Sequence, residues 1–252
     1  MKKLAFLGGA AGLGLVASLA AQRSQAADHL DSPPLLAAPT ADINDLYAWM
    51  DGTNVNLAMS VSPADSPART FGPAVQYVFH IHSKAQLGVG VAGLGRETRV
   101  ICTFASNTSA RCWVVEGTVI KDYIAGDPSG TQGISSRSGK VRLFAGPRAD
   151  PSTFNLQGFR KATADLKARF AAPPAVQLDE AGCPKNLTAQ EAGGYFSSLG
   201  AEVPGQPPCS PAGRDCFAEQ NVRILLIQLD RSLVNFGQNT AIGVWASTHA
   251  AP

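Results

Sequence analysis

Apolar and polar positions alternate in short runs along this chain, and glycines and prolines separate the runs. Successive side chains of a strand point to opposite faces, so alternation marks strands covered on one side. Asn54 to Val61 shows the pattern, and Asp51-Gly52 just before it is a turn signal. Asp42 to Trp49 opens with turn and cap residues and ends in Leu-Tyr-Ala-Trp, so the two segments predict a first hairpin. Pro63 to Pro73 reads as a loop. Val75 to His82 predicts the next strand, and Thr98 to Phe104 with Arg111 to Glu116 predict a second hairpin. Gly117 to Gly139 is turn-rich. Lys140 to Phe144 predicts a strand closed by Ala-Gly-Pro-Arg148, and Asn221 to Asp230 is the most apolar strand of the chain, expected to be central. Ala241 to Thr248 closes the domain.

A helical period enters only after the first strands. Leu156, Phe159, Leu166 and Phe170 fall on one side of a segment with Lys and Arg between them. Thr188 before Gln190 and Glu191 starts a second helix running to Leu199. The stretch from Ala171 to Cys216 is rich in Pro, Gly and Cys. The expected fold is mainly β, an antiparallel β-sandwich-like core with a helical and loop insertion at about 156–220, toward the C-terminal half.

The first residues change the picture of where this fold lives. Lys2 and Lys3 precede an apolar run from Leu4 to Ala21, and small residues follow at Ser24-Gln25-Ala26-Ala27. Charged start, apolar middle and small-residue cleavage site make a secretory signal peptide over 1–27, leaving one β-rich domain over 28–252. The chain is then expected to be periplasmic or secreted, with no membrane insertion after cleavage. Losing Lys2, Lys3 and Arg23 takes the basic count from 21 to 18 against 19 acids. A nearly neutral chain without a Lys/Arg block offers no electrostatic footprint for nucleic acid or anionic lipid. Five cysteines fit an oxidising compartment. Cys102 and Cys112 face each other across the second hairpin and predict a disulfide. Cys209 and Cys216 enclose a Pro/Gly loop and can close it, or Cys183 can take one of them.

The mature N-terminus holds the densest set of ligand-type side chains. It reads Ala27-Asp-His29-Leu-Asp31-Ser-Pro33, then Asp42-Ile-Asn-Asp45-Leu-Tyr47-Ala-Trp49. His29, Asp31, Asp42 and Asp45 offer hard oxygens and an imidazole for calcium, though the spacing is not an EF-hand loop. The plainer reading has Asp42 and Asp45 capping turns, with His29 and Asp31 paired to Arg148. His80 and His82 share one face of a strand, a known way to hold zinc or copper, and a polar outward face explains them equally well. Arg148 and Asp150 follow a strand end in a Gly-Pro loop, where the guanidinium can clamp a carboxylate or phosphate, or pair with a nearby Asp to fix the loop. No Gly-x-Ser-x-Gly elbow, P-loop, dinucleotide fingerprint, His-Glu-x-x-His or heme-attachment motif is present. Asp179-Glu180 reads as a solvated pair in a loop.

These blocks together resemble a family of secreted bacterial proteins catalogued as domain of unknown function 4331. Its mature chains begin Ser-Ser-His-Arg-Glu-Ala-Pro and continue with Asp-x-x-Asp-Leu-Tyr-Ala-Phe, in step with the two N-terminal motifs here. Ala145-Gly146-Pro147-Arg148-Ala-Asp150-Pro151 is similar to its Ala-Gly-Pro-Arg-x-Asp-Pro, with Asn155 where an acid is expected. Asn221 to Leu229 and Ile242 to Thr248 resemble its C-terminal strands. Where the family has an Asp/Asn/Gly-rich turn, this chain has His80-Ile-His82-Ser-Lys84. The resemblance implies export and a β-rich fold but brings no activity with it. The expectation is an exported protein of unknown activity, a binding or structural component that holds a divalent cation. The alternative is a metal-dependent hydrolase or oxidoreductase centred on His80 and His82.

Overall fold

The structure, a computed structural model, describes residues 35, 37–66, 68–85, 95–174, 176–181, 183–205, 209, 215–239 and 241–250. The expected signal peptide, His29 and Asp31 lie outside them. Ten strands form two five-stranded antiparallel sheets, packed as a sandwich. They are β1 (Ile43–Asp51), β2 (Asn54–Val61), β3 (Val75–Lys84), β4 (Arg96–Ser106), β5 (Ser109–Glu116), β6 (Val119–Gly126), β7 (Ile134–Ser135), β8 (Val141–Ala149), β9 (Asn221–Asp230) and β10 (Ala241–Ala250). One sheet runs β1-β2-β9-β8-β7 and the other β10-β3-β4-β5-β6.

Alternation sets what each sheet turns inward. Val55, Leu57, Met59 and Val61 of β2 meet the core, as do Leu225, Ile227 and Leu229 of β9. Tyr77, Phe79 and Ile81 of β3, with Val100, Cys102 and Phe104 of β4, come from the facing sheet. Phe71, Tyr77 and Phe104 close one end, with Phe71 stacked on Phe104 at 4.1 Å and Tyr77 edge-on to both. β9 is the middle strand of its sheet, as its apolar content predicts. Cys102 and Cys112 are directly paired on β4 and β5, and both are buried in the core as a disulfide. Cys209 joins Cys216, leaving Cys183 free and exposed.

Two expectations need correction. The turn-rich region from Gly117 contains a full edge strand, β6, paired with β5 after the turn at Gly117-Thr118. Its Val119, Ile120 and Tyr123 stay exposed, so the segment lacks the one-sided pattern that marks a covered strand. The strand expected to close before Ala145-Gly-Pro-Arg148 instead runs through those residues to Ala149. Pro147 is tolerated because β7 pairs only with Arg142 and Leu143, leaving that side of the strand open.

The helical excursion sits between β8 and β9. In α1 (Leu156–Ala171), Asn155 caps the first turn by accepting from the Gly158 N–H at 2.9 Å. Thr188 and Glu191 form a reciprocal capping box on α2 (Ala189–Leu199). Arg169 Nε ties the two helices together by donating to Glu191 Oε1 at 2.8 Å. Gly158 allows their close approach, because a Cβ there would lie 2.3 Å from the Ser198 carbonyl oxygen.

Tyr77 links the core to the chain's pH response. Its buried hydroxyl donates to the Thr40 carbonyl at 2.9 Å and accepts from the Gly72 N–H at 2.8 Å. Burial pushes the phenol up to about 12, against the pull of the Gly72 N–H and Arg223. A folded value above the unfolded 10.0 stabilises the protein fully below pH 10, and that stabilisation is lost as pH rises through 12. Denaturant midpoints measured from pH 8 to 12 are expected to fall by the equivalent of about 2–3 kcal/mol more in the wild-type chain than in Tyr77→Phe.

Candidate functional site

Among the described residues the candidate ligands Asp42, Asp45, His80 and His82 do not come together; His29 and Asp31 lie outside them. Asp42 follows a short 3-10 helix, Pro39–Ala41, and its backbone N–H donates to the Pro39 carbonyl at 3.2 Å. Its carbonyl accepts from the Ser62 N–H at 3.1 Å, so the residue is buried where the strand begins. Asp45 lies on the outer face of β1, where Ser60 Oγ donates to its Oδ2 at 3.3 Å. Asn44 between them marks a register shift in β1, and its buried amide has no hydrogen-bond partner among the described residues. His80 and His82 stand on the outer face of the opposite sheet, with the whole sandwich between them and Asp45. Among the described residues, no group of three or more His, Cys, Asp or Glu side chains is placed to hold a metal ion.

His80 and His82 do share a face, and that face is organised. In register, His80 lies opposite Trp245 of β10 and Arg99 of β4, while His82 lies opposite Gly243 and Glu97. The His80 ring stacks flat on the Trp245 indole, centroids 3.5 Å apart and planes within 4°. This lid explains why both imidazoles are buried on a face that otherwise looks outward, while Trp245 itself is 48% exposed. His80 reaches two diagonal neighbours. Its Nδ1 is 2.8 Å from Glu97 Oε1, and its Nε2 is 2.9 Å from Ser247 Oγ. On its other side Ser247 Oγ is 2.9 Å from His249 Nε2.

The partners assign the protons. A carboxylate only accepts, so His80 carries a proton on Nδ1, and the neutral ring then offers its Nε2 lone pair to Ser247. Trp245 Nε1–H donates to His82 Nε2 at 3.2 Å, so His82 carries its own proton on Nδ1. Among the described residues that buried Nδ1 has no hydrogen-bond partner. The His80-x-His82 spacing was visible in the sequence. Glu97, Trp245, Ser247 and His249 were missed, although Trp245-x-Ser247-x-His249 repeats the same period of two on another strand.

The outer face of the other sheet holds a groove of about 410 Å³, within the roughly 300–1,000 Å³ range of ligand pockets. Two rows of side chains build it. Trp49, Asn56, Gln228 and Arg142 follow one another across β1, β2, β9 and β8, and Ala58, Leu226 and Phe144 form the next row. Ile224 and Arg148 extend the lining. The floor is apolar, and Gln228 Nε2 donates to Asn56 Oδ1 at 2.9 Å, satisfying those two amide atoms. Thr131 and Gln132 add a wall from the β6–β7 loop. Gly133 lets that loop press onto β8, since a Cβ there would lie 2.2 Å from the Leu143 carbonyl oxygen and its φ is +61°.

The expected pairing of Arg148 with His29 and Asp31 lies outside the described residues. The Arg148 guanidinium lies 4.1 Å over the Phe144 ring and donates to the Pro147 carbonyl at 2.8 Å. Asp150 instead accepts from the Ser152 backbone N–H and hydroxyl, an Asx turn that orders the start of the helical excursion. Arg142 Nη2 donates to the Gln132 carbonyl at 3.1 Å. Among the described residues, neither arginine has a carboxylate within ion-pair distance. The phenol of Tyr47 is raised by burial first and then by the charges of Asp45 and Asp150.

No protein-family model, no curated protein and no solved structure matches this chain.

Proposed function

We propose that this chain is an exported binding protein that takes a small amphiphilic carboxylate in the groove of the β1-β2-β9-β8 face. One observation carries the reading. Two arginines that have no carboxylate partner among the described residues stand on the lining of an apolar groove flanked by a Trp that is 47% exposed. A guanidinium presents a planar fork of donors that matches a carboxylate. Trp49, Phe144, Leu226 and Ile224 offer surface to an apolar body. The Phe144 ring holds the Arg148 guanidinium in place, and a donor already ordered by such a contact lowers the ordering cost of binding. Export is supported by the leader-like N-terminus, by two disulfides and by the resemblance to a secreted family.

The test is a calorimetric titration with octanoate and with octan-1-ol, which share a chain and differ in charge. Octanoate is expected to bind at least tenfold more tightly. Hydrogen bonds to a charged group contribute about 1.5–3 kcal/mol, so Arg148→Ala is expected to weaken octanoate by about tenfold or more and leave the alcohol unchanged. Equal affinity for the two probes, or no heat with either, overturns the reading.

A further inference from the structure

On the opposite face, we propose that Ser247 is a nucleophile activated by His80, giving the protein a second capacity as an acyl-accepting, ester-cleaving site. Three contacts in series carry the inference. Glu97 Oε1 meets His80 Nδ1 at 2.8 Å, His80 Nε2 meets Ser247 Oγ at 2.9 Å, and Ser247 Oγ meets His249 Nε2 at 2.9 Å. A carboxylate on Nδ1 and a hydroxyl on Nε2 is the order of roles by which an imidazole acts as base toward serine. Sequence spacing could not reveal it, because the three groups come from β4, β3 and β10 and meet only through strand register.

The surroundings fit the role. Glu97 is a positioning residue that fixes the tautomer. The Trp245 indole covers the ring of His80 and restrains its rotation. Ser247 is only half-buried and β10 is an edge strand, so an ester carbonyl can approach the hydroxyl from solvent. His249, exposed on the far side of Oγ, sets a second imidazole nitrogen 2.9 Å from the reacting hydroxyl.

The reaction balances without a co-reactant other than water. Ser247 Oγ forms a bond to the ester carbonyl carbon as its proton passes to His80 Nε2. The carbon–oxygen bond to the alcohol breaks, and the alcohol leaves with that proton. Water then attacks the acyl-serine, His80 takes one of its protons, and Oγ departs with it, releasing the carboxylic acid.

The experiment uses p-nitrophenyl acetate and a fluorophosphonate probe on the full chain, with peptide mass spectrometry. The expected result is a covalent adduct on Ser247 and ester cleavage at least a hundredfold faster than in Ser247→Ala, on the scale of positioned base catalysis. Thermal unfolding confirms that the variant folds. In Ser247→Cys, iodoacetamide is expected to alkylate position 247 at least tenfold faster than the exposed Cys183 of the same molecule. Glu97→Gln tests positioning through the pH profile. Besides Glu97, the titratable or charged groups facing His80 are His82 on β3, Arg99 on β4 and His249 on β10. Loss of the carboxylate is expected to lower the rate and move its rising limb to lower pH. Absence of an adduct on Ser247, cleavage that persists in Ser247→Ala, a thiol at 247 no faster than Cys183, or an unmoved limb in Glu97→Gln each overturns the proposal.

Discussion

Asp65→Ala is expected to cost about 3–5 kcal/mol of stability, because it strands a guanidinium inside the protein. Arg223 points from β9 into the core end of the sandwich and is 1% exposed. Its Nη2 lies 3.2 Å from Asp65 Oδ2, and both side chains are almost wholly withdrawn from solvent. The pair is close but not ideally aligned, since among the described residues Asp65 Oδ2 and Arg223 Nε lack hydrogen-bond geometry to a partner. Charge attraction, rather than a well-formed hydrogen bond, therefore opposes the desolvation of the two ions. Other contacts lock the carboxylate in place. Ser62 Oγ donates to Asp65 Oδ1 at 3.1 Å, Arg69 Nη1 donates to Ser62 Oγ at 2.9 Å, and the Asp65 N–H donates to the Asn221 carbonyl at 2.7 Å. Ser62 and Ala64 adopt left-handed backbone, φ +62° and +50°, to bring the loop over Arg223. Equilibrium urea unfolding measures the effect. A double change to apolar residues, Asp65→Leu with Arg223→Met, is expected to lose less than Asp65→Ala alone, because no charge is left behind. A loss below about 1 kcal/mol for Asp65→Ala would show that water or another group compensates Arg223.

Removing the Cys102–Cys112 bridge is expected to cost nearly as much. The disulfide closes a loop with a sequence separation of 10, for which the chain-entropy account gives nearly 3 kcal/mol. Both sulfurs also fill the core between the sheets, and each cysteine is fully buried. Cys102→Ala with Cys112→Ala therefore adds a cavity to the lost constraint, and about 3–5 kcal/mol in total is expected. Breaking Cys209–Cys216 instead acts on the helical excursion, outside the sandwich core, and is expected to move the unfolding midpoint much less. Equal losses for the two bridges would contradict the placement of the first in the core.

Much of the sandwich was legible because a strand buried on one side writes its geometry into the sequence with a period of two. The hairpins at 43–61 and 96–116 follow from that rule and from their turns. β6 was not legible, since an exposed edge strand has no core to impose the pattern. The charged pair was hidden for another reason. Asp65 and Arg223 are far apart in sequence, and only an arginine inside the most apolar strand hinted that a buried partner must exist. Arg148 illustrates the converse. Among the described residues its neighbour is the Phe144 ring, four residues back along β8 on the same face. The groove itself depends on the order β1-β2-β9-β8, which no local stretch encodes. His80 and His82 were visible, while the chemistry around them depends on register with β4 and β10.

The most direct test of the binding account is where a carboxylate lands. Nitrogen-15 NMR of the chain titrated with octanoate reads the three indole N–H groups and the arginine Nε–H groups together. The account predicts saturable shifts at the Trp49 indole and at Arg148 and Arg142 Nε–H, with Trp113 and Trp245 unmoved. Shifts centred on Trp245, or none at Trp49 and the two arginines, would contradict it.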